Sequence, residues 1–156
     1  MPEAVSPQAR VFESVTEYLS WDHDRLEGLL AEAASSVDAG LFDTALARYA
    51  EFELGLMRHI RLEENLLFPV FEACTGIGDG PTAVMRAEHK QIVKAVGMMA
   101  CGLEANDPEA FRRGLRYMRE SMRDHNSKEE HVLYPTMDAA LNGRERTALV
   151  ERLLRE

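Results

Sequence analysis

The chain has 156 residues, a length that suits one domain with a core of its own. A net charge of −9 argues against general nucleic-acid binding, which needs a basic face, and 46% hydrophobic residues is ordinary for a globular protein. No apolar run nears the roughly 18 residues of a membrane span, and the opening MPEAVSPQARVFESV lacks the basic and apolar regions of a secretory signal. Nucleic acid and membrane are thus not expected as partners, and the cytoplasm is the expected location.

Ser6-Pro7 has the form of a helix start, and a first long helix is predicted over about 12–37, ending at the turn cluster VDAGL. A second is predicted over about 42–68, with Pro69 ending or kinking it because proline lacks a donor and disfavours helical geometry before it. After TGIGDGP, Pro81 opens a third over about 81–105. Pro108 opens a fourth over about 108–134, which Pro135 should end or kink in turn. A short helix from about Glu145 to Leu154 follows. Its apolar side (Ala148, Leu149, Leu153, Leu154) should pack on the outside and offers a surface for a homodimer. Cys74 and Cys101 are too few and too separated for a disulfide framework or a cysteine zinc site, and are expected as small buried or half-buried thiols.

Spacings of three and four pick out one stripe per helix. They are Phe12, Thr16, Leu19, His23, Leu26 and Leu30; then Ala45, Tyr49, Phe52, Leu56, His59, Glu63 and Leu66. The third gives Met85, His89, Ile92, Val96, Met99 and Leu103, and the fourth Phe111, Leu115, Met118, Met122, His125, Glu129 and Val132. Four such stripes with short loops predict an all-α protein, an antiparallel four-helix bundle with a short extra C-terminal helix. The methionines on the stripes are read as core filler, and Tyr18, Trp21, Phe68 and Tyr134 as packing.

Each stripe is interrupted by one histidine, with a glutamate one turn later on two of them. Carboxylates in an apolar interior cost several kcal/mol or take up a proton, so the four imidazoles and two glutamates need a shared partner. A metal supplies one, and this donor set suits iron, manganese or zinc. The arithmetic is regular: His23 and His89, His59 and His125, Glu63 and Glu129, and Pro69 and Pro135 are each 66 residues apart. HIRLEENLLFP (59–69) and HNSKEEHVLYP (125–135) are the same segment used twice, in two pseudo-repeated hairpins of about 12–69 and 81–135. A two-fold arrangement of halves favours two metals. Residues i and i+4 lie about 40° apart on a helix, so His59/Glu63 and His125/Glu129 can each reach one centre. Glutamate is long enough to bridge, while each histidine binds one ion; which histidines share an ion is left open. Glu64 and Glu130 are turned about 100° away, toward solvent or behind the ligands. His131 falls off the stripe, on the surface. Acidic residues precede the lone histidines, as Asp22-His23 and Glu88-His89.

The series His23, His59-x-x-x-Glu63, His89, His125-x-x-x-Glu129, carried by EYLSWDHDRLEGLL, HIRLEENLLFP and HNSKEEHVLYP, resembles the hemerythrin-like, HHE cation-binding domain over nearly the whole chain. The resemblance implies an up-down four-helix bundle, one hemerythrin-like domain over 1–156, around two iron ions with carboxylate and oxo or hydroxo bridges. It makes His23, His59, His89 and His125 terminal ligands and Glu63 and Glu129 bridges, with zinc or manganese as substitutes. Oxygen-carrying members have a fifth ligand histidine four residues from the third; here those positions are Met85 and Val93. Their last motif spaces histidine and aspartate by five, where this chain has Glu129 at four and Glu130 at five. One nitrogen fewer leaves open coordination, which favours reaction at the metal over reversible carriage. Iron–sulfur repair members carry an extra cysteine-bearing domain that is not seen here. Ferritin-like Glu-x-x-His is excluded by Ser20, Leu56, Arg86 and Met122 at the required positions. The expected function is a non-haem di-iron protein that binds or reacts with O2, H2O2 or NO in stress response or sensing. The alternative is a non-catalytic iron-binding or iron-sensing module or metal store.

Overall fold

A computed structural model describes residues 10–156, so the Ser6-Pro7 helix start lies outside the described residues. Helix α1 spans Val15–Asp38, α2 Phe42–Leu62, α3 Phe68–Thr75, α4 Pro81–Glu104, α5 Pro108–Lys128, α6 Tyr134–Ala140 and α7 Gly143–Arg155. π-Helical turns Glu63–Leu67 and Glu129–Leu133 join α2 to α3 and α5 to α6 without a break. No strand occurs among the described residues. α1 packs along α2 and α4 along α5, giving two antiparallel hairpins in an up-down four-helix bundle, with α7 as the short extra helix.

The sequence dictates the starts. Ser14 accepts a hydrogen bond from the Glu17 amide, and Asp107 accepts one from Ala110 ahead of Pro108, so orphan amides of α1 and α5 are satisfied. Asn142 and Glu145 form a reciprocal capping box that starts α7. Phe12, expected inside the first helix, stands before it. It is still buried, with its ring 5.0 Å from Tyr18 and 5.5 Å from Trp21.

Of the two outcomes expected at Pro69 and Pro135, an end or a kink, the end does not occur: helix continues past each proline. A proline ring crowds the carbonyl four residues back, and its missing N–H breaks that bond. The widened turn just ahead absorbs the defect, with Phe68 N bonded to Glu63 O and Tyr134 N to Glu129 O, five residues apart. Val132, expected on the stripe, is 56% exposed while Leu133 is buried; in the other copy of the turn the counterparts Leu66 and Leu67 are both buried.

The continuations have a use. α6 brings Asp138 to the start of α1, where its carboxylate accepts from Val15 N (2.9 Å), Thr16 N (3.0 Å) and Thr16 Oγ1 (2.6 Å). α3 brings Glu72 to the start of α4, where it accepts from Thr82 Oγ1 at 2.8 Å and pairs with Arg86. Thr16 and Thr82, like Glu72 and Asp138, are 66 residues apart, so the duplication includes a lock at the end of each hairpin.

Two hydrophobic clusters result. One gathers Leu19, Leu62, Phe68, Met85, Leu133 and Tyr134 with the buried face of α7 (Leu149, Val150, Leu153); the other gathers Leu26, Leu56, Ile92, Met99, Phe111 and Met118. On α7, Val150 takes the buried place expected of Ala148, which is exposed. Both cysteines are exposed rather than buried or half-buried; Cys101 lies off the inner stripe of α4, and Cys74 sits in the last turn of α3. Of the stripe methionines, Met85, Met99 and Met118 are fully buried and Met122 half-buried.

α4 and α5 approach so closely that a Cβ on Gly102 would sit 2.5 Å from the Phe111 amide nitrogen, and one on Gly114 would sit 2.9 Å from Met99 N. Gly102→Ala must therefore push backbone apart, and chemical denaturation should register a loss of about 1–3 kcal/mol. Gly97→Ala, on the same helix with open space at its Cβ, should instead gain about 0.5–1 kcal/mol. Equal effects at the two sites would rule out this packing.

Candidate metal centre

The polar layer lies between the two clusters. His23 projects from α1, His59 from α2, His89 from α4 and His125 from α5, while Glu63 and Glu129 open the two π-helical turns. All six side chains are buried, and the two glutamates are 0% exposed. The structure brings all six predicted residues together. It also sorts the histidines into two groups, an arrangement the sequence left open. His23, His59, Glu63 and Glu129 each offer a ligand atom within 4.8 Å of the others, and so do Glu63, His89, His125 and Glu129. Each pair of histidines comes from one hairpin, with ring centroids 4.7 Å and 4.9 Å apart. Both glutamates belong to both groups.

Outer carboxylates orient the rings. Asp22 Oδ2 lies 2.8 Å from His59 Nδ1, Glu64 Oε1 2.8 Å from His89 Nδ1, and Glu130 Oε1 3.1 Å from His23 Nδ1. Glu64 and Glu130 thus stand behind the candidate ligands, each crossing to the other hairpin. A carboxylate can only accept, so each of these imidazoles carries its proton on Nδ1 and turns the lone pair of Nε2 inward. Burial opposes the charge on Asp22, but the hydrogen bond from His59 and the nearby Arg25 guanidinium hold its carboxyl below the usual range. The fourth position is looser. Glu88 is 3.7 Å from His125 Nδ1, and its oxygens are held by Lys128 Nζ at 2.6 and 2.8 Å.

The inward atoms have no partners of their own. Both oxygens of Glu63 and of Glu129, and Nε2 of His89, are buried without a hydrogen bond among the described residues. They are nevertheless crowded: Glu63 Oε1 is 2.7 Å from His59 Nε2, and Glu129 Oε1 is 3.1 Å from His125 Nε2 and 3.2 Å from His23 Nε2. Burial, then the charge of Glu129, pushes the Glu63 carboxyl well above its ordinary range. Glu129, against burial, is held well below its own by Glu63, His125 and His23. With no other cation the pair would thus keep a proton. Nitrogen and carboxylate-oxygen lone pairs converging in a dry layer are what a borderline transition-metal ion requires, so the residues fit such a group.

Two neighbours were not legible as site residues. Tyr134, expected as packing, is fully buried with its hydroxyl 3.3 Å from both His23 Nε2 and His59 Nε2. Burial, then the charges of Glu129 and Glu63, raises its ionisation far above the ordinary range and keeps the hydroxyl protonated. Its repeat counterpart is Phe68, which stacks on His89 at 5.7 Å and offers no oxygen. Asn126, whose counterpart is Ile60, brings an unpaired buried Oδ1 beside the layer. In both cases the signal was a polar atom on one copy of the repeat and none on the other. His131 is exposed and bonds the Ser127 carbonyl on its own helix at 2.9 Å, away from the layer.

A duplicated histidine–glutamate layer across four helices defines a class of cation-binding bundle. The hemerythrin HHE cation-binding domain family matches residues 14–137, and the chain belongs to it. No curated protein and no solved structure matches the chain. Asp22→Ala should free the His59 ring and weaken metal binding about 10–100-fold in a competition titration. His131→Ala should leave affinity unchanged, and a drop there would contradict the assignment of faces.

Proposed function

We propose that this protein holds two iron ions between its hairpins, one at His23 and His59, the other at His89 and His125, with Glu63 and Glu129 reaching both. In this reading it binds or reacts with a small ligand (dioxygen, hydrogen peroxide or nitric oxide) in stress response or sensing in the cytoplasm. The observation that carries the reading is the overlap of the two ligand groups in both carboxylates. Imidazole and carboxylate together suit iron, with zinc or manganese as substitutes. Bound there, iron supplies Lewis acidity and a change of redox state.

The chain's own residues do the rest. Asp22, Glu64 and Glu130 fix three imidazoles, and the hydrophobic clusters on either side keep bulk water out. On the third helix Met85 is buried and Val93 exposed, so neither adds a nitrogen beside His89 and the ligand set stays open for a further small molecule. A cavity of ≈ 10 Å³ touches all six candidate ligands together with Leu56, Ile60, Ile92 and Met122. That is room for about one water-sized guest.

The second reading, an iron-sensing module or metal store, draws on the complete burial of Glu63 and Glu129, which ties the fold to occupancy. Protein from iron-fed cells should carry close to two irons per chain by metal analysis, and His59→Ala or Glu129→Ala should lower this to one or fewer. Less than one metal per wild-type chain would defeat both readings. Chelation should lower Tm by about 10 °C, since uncovering a buried charge costs roughly 3–5 kcal/mol and a domain of this size loses about 2–4 °C per kcal/mol. Peroxide turnover or spectral change with nitric oxide selects the first reading; a large Tm loss on chelation with neither selects the second.

A further inference from the structure

The duplication makes the bundle's two side grooves comparable, because the α1–α5 groove maps by the 66-residue offset onto the α4–α2 groove. They are not alike. The α4–α2 groove is sealed. Phe52, Leu56 and Ile60 are 1%, 2% and 6% exposed, and Tyr49 donates from its hydroxyl to the Val96 carbonyl across the groove at 2.6 Å. The positions corresponding to Tyr49 and Val96 on the other side are Leu115 and Leu30, which cannot repeat that bond. There, a cavity of ≈ 350 Å³ opens between α1 and α5, lined by His23, Glu27, Arg119, Met122, Asn126 and Glu130 among others. His23, Met122 and Asn126 also line the small inner cavity beside the glutamates, so the two spaces adjoin. Where the sealed side has Leu56 and Ile60, this side has a half-buried methionine and an amide whose buried Oδ1 has no partner among the described residues.

From this contrast we propose that the α1–α5 groove is the access route to the centre for a small polar ligand, with Met122 as its flexible door and the Asn126 amide as the group that receives the ligand by hydrogen bond. The inference rests on the metal reading above and adds a direction and a ligand class to it. Methionine is unbranched and moves easily among rotamers, which suits a door better than the leucine on the sealed side. The orphaned atom is the Asn126 amide oxygen, an acceptor, so a guest able to donate a hydrogen bond removes the cost of leaving it unpaired. An apolar diatomic gains nothing from it. The rim carries charge on both walls, with Arg119 Nη2 3.4 Å from Glu27 Oε1, so a polar molecule crosses it without losing hydrogen-bonding partners.

The test uses equivalent positions. Glu27 is on the rim of the open groove, and its counterpart Val93 is 41% exposed on the sealed side, so Glu27→Trp and Val93→Trp place the same bulk on each. With iron-loaded protein and hydrogen peroxide as a small hydrogen-bond-donating probe, stopped-flow mixing should find association about ten-fold slower in Glu27→Trp and little changed in Val93→Trp. Extraction of iron by a chelator should slow in the same order. Asn126→Leu should weaken peroxide affinity, read from the concentration dependence of the association rate, about ten-fold, the equivalent of one hydrogen bond, with iron content unchanged. Metal analysis separates the layers of the argument. A wild-type chain without iron overturns the metal reading, and this one with it. Loaded variants with equal rates overturn the access route alone, and unchanged affinity in Asn126→Leu overturns the role of the amide.

Discussion

Two carboxylates, wholly withdrawn from water and set between four inward imidazoles, are the constraint around which this bundle is organised. Such a group cannot be neutral toward folding. Each carboxylate removed from water without a counter-charge costs several kcal/mol, and mutual repulsion adds to it. The core is accordingly split into two apolar clusters with the polar layer between them. Asp22, Glu64 and Glu130 then keep three of the rings from rotating out of register. With a cation in the layer, all of these groups work together; without one, protons must substitute.

The π-helical turns belong to the same constraint. Each begins at the glutamate that reaches both ligand groups and ends just ahead of the residue before the proline. In a regular helix Pro69 and Pro135 would face the carbonyls of Asn65 and His131; the wider turn removes that conflict and lets the chain run on as α3 and α6. Those extensions deliver Glu72 and Asp138 to Thr82 and Thr16, tying the end of each hairpin to the start of a helix in the other. A single local irregularity thus places a candidate ligand and closes the bundle.

The fold and the six candidate residues were legible because both depend on periodicity. An inward histidine at a fixed step in four apolar stripes, repeated at 66 residues, leaves few arrangements open. What the stripes could not carry is the register beyond a defect. A strict count of three and four continues through Glu63 to Leu66 and through Glu129 to Val132; both turns spend one residue more and bury Leu67 and Leu133, but only Leu66 of the two counted residues stays buried. Proline read alone signals a stop, and only the carbonyl pairing of the preceding turn reveals that the helix survives. The cysteines differ for another reason: the general tendency of free thiols to be buried gives way to position, with Cys101 off its stripe and Cys74 past the last counted residue, Leu66. Tyr134 was passed over because aromatic residues at helical spacing are usually packing, and its hydroxyl acquires meaning only through its distance to two rings.

Departures from the repeat explain why duplication has not produced two equal halves. Tyr134 stands at the His23–His59 side where Phe68 stands at the other, Asp22 grips His59 where Glu88 is drawn off to Lys128, and Asn126 replaces the hydrocarbon of Ile60. The groups at the heart of the layer are kept in duplicate, as a shared pair of carboxylates demands. The surroundings are free to differ, and each difference changes hydrogen bonding rather than ligand identity. A hydroxyl against one pair of imidazoles and a stacked ring against the other set unequal polarity at two positions with the same donor atoms. On the proposed two-metal reading, equal ligands in unequal surroundings would give two positions with different affinities and different access to small molecules, a property that a perfectly repeated bundle could not have.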